Sequence, residues 1–302
     1  MPQNLMLEEN FGDLLDSRIR KIFDTEYAEN VQESMIPLLF GMQSSNRSYE
    51  IVSGVGGLGD LQDFDGQISY DSVSQLYDKT FTFPEKALGI KVERKLYDDD
   101  LFGVIDQRPR SMALSSARTR EKTAAAMWNR AFVGTDGPDS LSLCNSSHPL
   151  GPDNATTWDN SGTSALSPTS VEATRRIGMQ SILNDRGELL SVNYDTILCS
   201  VYNEEIAYEI INSTGKVDTA DNNPNFHKGR YKLAVWPRLT SPNNWFMIDS
   251  RLAKMFILWW DRVKDGVKMD RDTDSLVAKW YVYERYTCGW ADARPVYGHT
   301  VS

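Results

Sequence analysis

Cysteine and histidine are scarce in this sequence, three of each in 302 residues. Cys144, Cys199 and Cys288 are widely spaced and odd in number, which argues against a disulfide framework and for thiols kept reduced. In that setting the N-x-[ST] sequons at Asn46, Asn145, Asn154 and Asn212 have no significance. His148, His227 and His299 are scattered and no G-x-S-x-G stretch occurs, so no nucleophile set assembles from the sequence. Long apolar runs are lacking too. None reaches the roughly 18 to 20 residues of a membrane span, and "MPQNLMLEENFGD" has neither a basic nor an apolar leader region. The expectation is a chain made and kept in the cytosol, with no membrane contact. Positive charge is in deficit, 32 Lys and Arg against 42 Asp and Glu. That balance opposes a primary role in gripping nucleic acid, which needs cations focused on one face.

What is present is an ordinary globular balance, 40% hydrophobic and 25% charged, in a chain long enough for one large domain or two to three smaller ones. In "DLLDSRIRKIFDTEYAEN" the residues Leu14, Leu15, Ile19, Ile22 and Phe23 recur at helical spacing with Arg18, Arg20 and Lys21 opposite, predicting a short amphipathic helix. With no hairpin partner before Pro37 and Gly41, it is expected to pack on something other than its own domain. Residues 49–97 alternate β-branched and aromatic with polar residues, and glycines cluster at 54–66. This predicts a long two-stranded arm with neither face deeply buried, which would need another surface to lie on. "RPRSMALSSARTREKTAAAMWNRAF", 108–132, predicts a long spine helix with an apolar stripe of Ala113, Leu114, Ala117, Ala124, Trp128, Ala131 and Phe132, ended by Gly134. Residues 139–168 read as a polar surface loop or β-excursion. Beyond it, Pro168 with a Thr169–Glu172 capping box predicts a second helix. Then "DTILCSV" reads as a strand, Asn203–Gly215 as a capped helix, and "RYKLAVWP", "NWFMIDS" and "KMFILWW" as further strands, a mixed α+β chain.

Each candidate for chemistry has a plainer reading. "GVGGLG", Gly54–Gly59, matches G-x-G-x-x-G after a strand-like segment, but "DLQDFDGQISY" is a poor helix and the dinucleotide fingerprint needs a helix N-terminus for the pyrophosphate. "DRDTDS", Asp270–Ser275, begins like a calcium loop, yet Ser275 and Tyr281 stand where Gly and Glu are required. Cys144 and His148 are four apart with no second pair to complete a metal site. Asp98, Asp99 and Asp100 suit the region before a helix N-terminus without any catalytic role. No cofactor, metal or catalytic residue is assigned, and no enzyme activity is expected. The C-terminal "KWYVYERYTCGWADARPVYGH", with Trp280, Tyr281, Tyr283, Tyr286, Trp290 and Tyr297, reads as a strand covered on both sides, the spine helix supplying one cover.

Several segments, "LSSARTREKTAAAMWNRAF", "LCNSSHP", "INSTGKVDTADNNPNFHKGRYKLAVW", "NNWFMIDSRLAKMFILWWDR" and "RYTCGWADARPVYGH", resemble the major capsid proteins of tailed bacteriophages, which share the Hong Kong 97-type fold. They cover most of residues 90–302, and the N-terminal third resembles the family in pattern. Ala293 and Pro295 depart from it, standing where aromatics are expected. The resemblance implies an α+β fold divided as N-terminal arm 1–48, an extended β-hairpin loop (E-loop) and its base 49–97, and a peripheral domain 98–178 with the spine helix at 108–133. An α/β axial domain follows at 179–254, and peripheral closing strands at 255–302.

It further implies a shell protein forming pentamers and hexamers of an icosahedral head around double-stranded DNA, located in the virion after assembly in the host bacterial cytoplasm. An encapsulin-like compartment and a NAD-dependent oxidoreductase through Gly54–Gly59 are the alternatives. Expected partners are copies of itself, a portal protein, possible separate scaffolding and decoration or cement proteins, and packaged DNA held without specific grip. Met1 with its short polar lead gives no sign of a fused scaffold. The E-loop, about Gly54–Thr82, is expected over one neighbour and the N-arm under another, through Arg18, Lys21, Asp63, Phe64, Asp65, Tyr77, Lys79 and Lys86. Lys79 and Lys86 read as solvated arm charges. Trp128, Phe132, Trp280, Tyr286 and Trp290 are expected in the core.

Overall fold

In this computed structural model the described residues are 9–32, 34–61, 63–64, 66, 68, 70–93, 104–215, 223–264, 266–272 and 277–301. Asp65, Asp98, Asp99, Asp100 and positions 273–275 of the calcium-like stretch lie outside them. The longest strand, β13 (Val277–Trp290), organises the first sheet. β4 (Glu85–Glu93) pairs along one edge of it, while β11 (Ile257–Lys264) and β12 (Lys268–Asp272) divide the other. After the short helix α2 (Ile36–Leu39), β1 (Gly41–Ser44) adds in parallel to β11. Gly41 is required there, because a Cβ would lie 1.9 Å from the carbonyl oxygen of Lys254.

Burial along β13 has period two. Trp280, Val282, Glu284 and Tyr286 are buried, whereas Tyr281 is 39% exposed and Tyr283 and Arg285 are half-buried. The strand is thus fully covered on one face, correcting the expectation of two. The cover is helix α3 (Val104–Asn129) with helix α1 (Glu9–Gln32) beside it. Met112 and Ala113 of α3, Ile19 and Phe23 of α1, Val92 and Trp280 form one apolar cluster. The N-terminal helix therefore seats on its own chain, contrary to the sequence expectation. Ile19 and Phe23 bury their side chains in that cluster, where the small Ala113 suits a close approach of the two helices. α3 begins before Pro109, which it contains, and Leu114 is half exposed where the apolar stripe would have buried it.

The second sheet runs β7 (Ser161–Gly162), β14 (Val296–His299), β10 (Trp245–Ile248), β8 (Thr196–Cys199), β9 (Lys232–Val235). β10 is antiparallel to both neighbours, pairing Trp245 with His299 and with Cys199, and every residue of β8, β10 and β14 is buried. The final strand of the chain thus belongs to this sheet and not with the other closing strands at 255–290. Helix α4 (Pro168–Gln180) is capped by Ser167 with Ser170 as its box partner, in place of Thr169 and Glu172. Glu172 instead accepts from Arg175 and Arg176 at 2.8 Å. Helix α5 (Glu204–Asn212) lies near β8 and β9.

"KMFILWW" is not all strand. Asp249 accepts from the N–H groups of Arg251 and Leu252 and starts helix α6 (Ser250–Phe256), and the run turns extended at Ile257. A short apolar run does not fix its own period, and a cap decides it. Residues 139–168 form the β-excursion, with β5 (His148–Gly151) against β6 (Asn154–Trp158). It is far from a surface loop, since Leu143, Cys144, His148 and Asn160 are buried. Asn160 Nδ2 donates to the carbonyls of Leu143, Ala293 and Val296, and this holds the final turn where the expected aromatics are missing.

Candidate assembly surface

The arm proper is shorter than 49–97, because β4 joins the first sheet. It consists of β2 (Tyr49–Val55) antiparallel to β3 (Gln75–Thr82), with a bulge between Ser53 and Val55. Most of its side chains are exposed or half-buried, Phe81 being fully buried near the body. Beyond the strands Leu58, Leu61, Phe64, Ile68 and Tyr70 are exposed, Leu61 completely and Tyr70 to 90%. A folded chain on its own gains nothing from five large apolar groups in water.

The arm's base sits on the body. Lys79 Nζ donates to the carbonyl of Asp136 and lies 5.8 Å from the centre of the Trp290 ring. Lys86 Nζ donates to Thr123 Oγ1 at 2.6 Å and lies 4.4 Å from the Tyr286 ring. Burial lowers the pKa of both ammonium groups. Lys79 anchors the arm to the body after the spine helix, and Lys86 anchors β4 to that helix, so neither is the solvated charge that the sequence suggested. Tyr77 is half-buried and, with Val52, Leu76, His148, Trp158, Met255 and others, lines a crevice of about 360 Å³ between arm base and body.

Asp63 and Phe64 are exposed on the tip. Arg18 is ion-paired with Asp106 of α3, and Lys21 is exposed on α1. The residues expected at contacts thus fall into separate groups, the arm tip, the arm base and the outer face of α1.

Of the residues expected in the core, Trp128 is buried and Phe132 half-buried. Trp128 meets Phe40 and Phe246 edge-on, at 6.5 and 5.3 Å between ring centres. Phe132 stacks on Phe246. Trp280, Tyr286 and Trp290 are buried, Tyr286 stacked on Trp259 at 5.0 Å.

A second exposed apolar group, missed in the sequence, surrounds the start of α5: Val201, Tyr202, Ile206 and Tyr208. Helical spacing in "VYNEEIAYEII" put Ala207, Ile210 and Ile211 inside, and those left outside were the available signal.

The glycine-rich stretch is bonded to its own chain. Gly54 is in β2, and no helix follows the stretch among the described residues. The N–H of Gly56 donates to the Ser74 carbonyl, that of Gly57 to the Asp185 carboxylate and that of Gly59 to Asp71. The donors a pyrophosphate would require are already engaged by the chain, so the geometry gives the oxidoreductase alternative no support. His148 Nδ1 lies 2.6 Å from Asp139 Oδ2, and Cys144 is buried. Among the described residues no cluster of three or more His, Cys, Asp or Glu could hold a metal, nor is any helix long and apolar enough to cross a membrane.

Residues 78–298 match the sequence profile of a family described as phage capsid protein. No relative matches among curated proteins. In fold the chain is similar to a chain of the asymmetric unit of the bacteriophage PhiM1 mature capsid, at TM-score 0.60 and 11% identity over 89% of this chain and 87% of that one. It is also similar to a chain of the bacteriophage JBD30 capsid decorated with minor capsid protein trimers, at TM-score 0.55 and 12% identity over 69% and 91%. A chain of an empty GTA particle capsid gives TM-score 0.56 and 11% identity over 89% and 90%.

Proposed function

The chain belongs to the phage capsid protein family, and on that premise we propose that it tiles an icosahedral phage head as pentamers and hexamers enclosing double-stranded DNA. The observation that carries this reading is the arm, whose tip presents Leu61, Phe64 and Tyr70 with no cover on its own body. In a closed lattice each copy makes several such contacts at once, so individually weak contacts act together. Under this reading the arm tip lies on a neighbouring copy. The first sheet with α3 forms the peripheral body, and the second sheet, including β14, forms the axial one. The apolar group at Tyr202, Ile206 and Tyr208 then faces other copies around the capsomer centre.

A portal, a separate scaffold and a decoration protein are partners proposed by the same reading; the similar JBD30 capsid carries minor capsid protein trimers. The formal net charge of -10 supports loose, repulsive packing of the genome against the wall. Nothing in the fold favours the encapsulin-like alternative. Electron microscopy of the purified chain tests the proposal. Closed shells or capsomers are expected, and a uniformly monomeric chain at high concentration would overturn it.

A further inference from the structure

The arm is gripped at its neck by a turn from another part of the chain. Asp185 accepts the N–H of Gly57 on both carboxylate oxygens, at 3.1 and 3.2 Å. Arg186 donates through Nε to the carbonyl of Gly57 at 2.8 Å and through Nη2 to that of Ser72 at 2.9 Å, and Nη2 also lies 2.8 Å from Asp71 Oδ2. One guanidinium therefore holds both limbs of the arm, the outgoing one at 57 and the returning one at 71–72. Asp71 in turn accepts from the N–H of Gly59, which with the N–H of Ser72 and with Arg186 holds its carboxyl below the usual range.

The turn itself is preformed. Asn184 Oδ1 accepts from the N–H groups of Arg186 and Glu188, Gly187 takes a φ of +85°, and Asn154 Nδ2 donates to the Asp185 carbonyl. The fit is close, since a Cβ on Gly56 would lie 2.6 Å from Asp185 Oδ2.

We propose that the Asp185–Arg186 turn is a docking site that holds the arm on its own body in the unassembled chain, and that shell closure requires this contact to be released to a neighbouring copy. The second half rests on the capsid reading. The chemistry suits a reversible hold: the bonds are polar and partly exposed, each of modest net worth in water, whereas the apolar tip beyond them gains by burial against a second copy.

Cysteines at Gly57 and Asp185 test it, because a Cβ on Gly57 would lie 3.6 Å from Asp185 Oδ1 with no closer contact. Oxidising unassembled Gly57→Cys/Asp185→Cys chains is expected to close a disulfide within one chain, read as monomer mobility on a non-reducing gel and loss of two thiols against the single variants. The locked chain is expected to yield about tenfold fewer closed shells, restored by reductant. A ladder of interchain products in place of the internal bond, or a locked chain that forms as many shells as the same chain after reductant, overturns the proposal.

Should the pair misfold, Arg186→Ala serves instead. Chymotrypsin cleavage after Phe64 or Tyr70 in the unassembled chain is expected to rise at least about tenfold, the change for one charge-assisted bond, since the variant loses all three contacts of the guanidinium, and an unchanged rate overturns the hold. If the unaltered chain never forms shells while the internal disulfide still closes, the capsid reading fails and the hold itself stands.

Discussion

Arg120 Nη2 lies 2.6 and 2.9 Å from the two carboxylate oxygens of Asp261, tying α3 to β11 through a buried ion pair. The guanidinium stands 5.0 Å from the Trp259 ring and 4.7 Å from that of Tyr286. Glu284 is 3.7 Å from Nη1 and accepts from Ser116 at 2.6 Å. One cation thus answers two carboxylates on the covered face of the first sheet. Arg120→Ala is expected to destabilise the chain by about 3 to 5 kcal/mol, since it strands buried carboxylates. Arg120→Lys should rescue little of that, because a single ammonium cannot serve both Asp261 through Nη2 and Glu284 through Nη1, and it lacks the planar face set over Trp259 and Tyr286. Urea unfolding of the two variants measures this, and a shift under about 1 kcal/mol for Arg120→Ala would remove the pair from the account of stability.

Trp290 ends β13 at 4% exposure. Trp290→Ala removes an aromatic from the core and the ring beneath Lys79, at a cost of about 3 to 5 kcal/mol. That is a large part of ordinary domain stability. Insoluble or unassembled chains are expected, and normal shells in electron micrographs of the variant would contradict this.

His299 is stacked 4.1 Å from Trp245 and bonded to Thr174, and burial pushes its pKa down to about 4. The folded chain therefore holds it neutral while the unfolded chain protonates it from about 6.5 downward. The unfolded state binds more protons between those two values, so stability falls as pH drops through that window and levels off below about 4. From pH 7 to pH 5 this amounts to about 2 kcal/mol. His299→Gln should flatten that part of the stability curve; equal slopes for both chains by urea unfolding would refute it.

At the arm tip, Leu61→Asp/Phe64→Asp places charges where apolar burial is required, with no effect on the body because both side chains are exposed. Unchanged circular dichroism and melting are expected, with closed shells lost. Full-sized particles on a sucrose gradient would show that the tip makes no contact.

Gly41→Ala is expected to cost about 1 to 3 kcal/mol by forcing β1 from the backbone of α6. A melting temperature within about 1 °C of the parent would contradict it.

Periodicity and composition by themselves determined the long helices, the strand at 277–290, the exposed arm and the buried aromatics, but not the helix at Ser250–Phe256, because each of the former depends on neighbours within a few residues. The wording of segments such as "INSTGKVDTADNNPNFHKGRYKLAVW", not their composition or period, carried the resemblance to the family. The tertiary structure alone decided which distant groups meet. That α1 rests on Ala113, that β4 leaves the arm for β13, that Val296–His299 crosses to the second sheet, and that Lys79 and Lys86 bind the body are all long-range pairings. So are Arg120 between Trp259 and Tyr286, and Asp185 on Gly57. A local pattern records which face of an element is apolar, but not which partner fills it, since burial stabilises any complementary surface and only packing in three dimensions selects one.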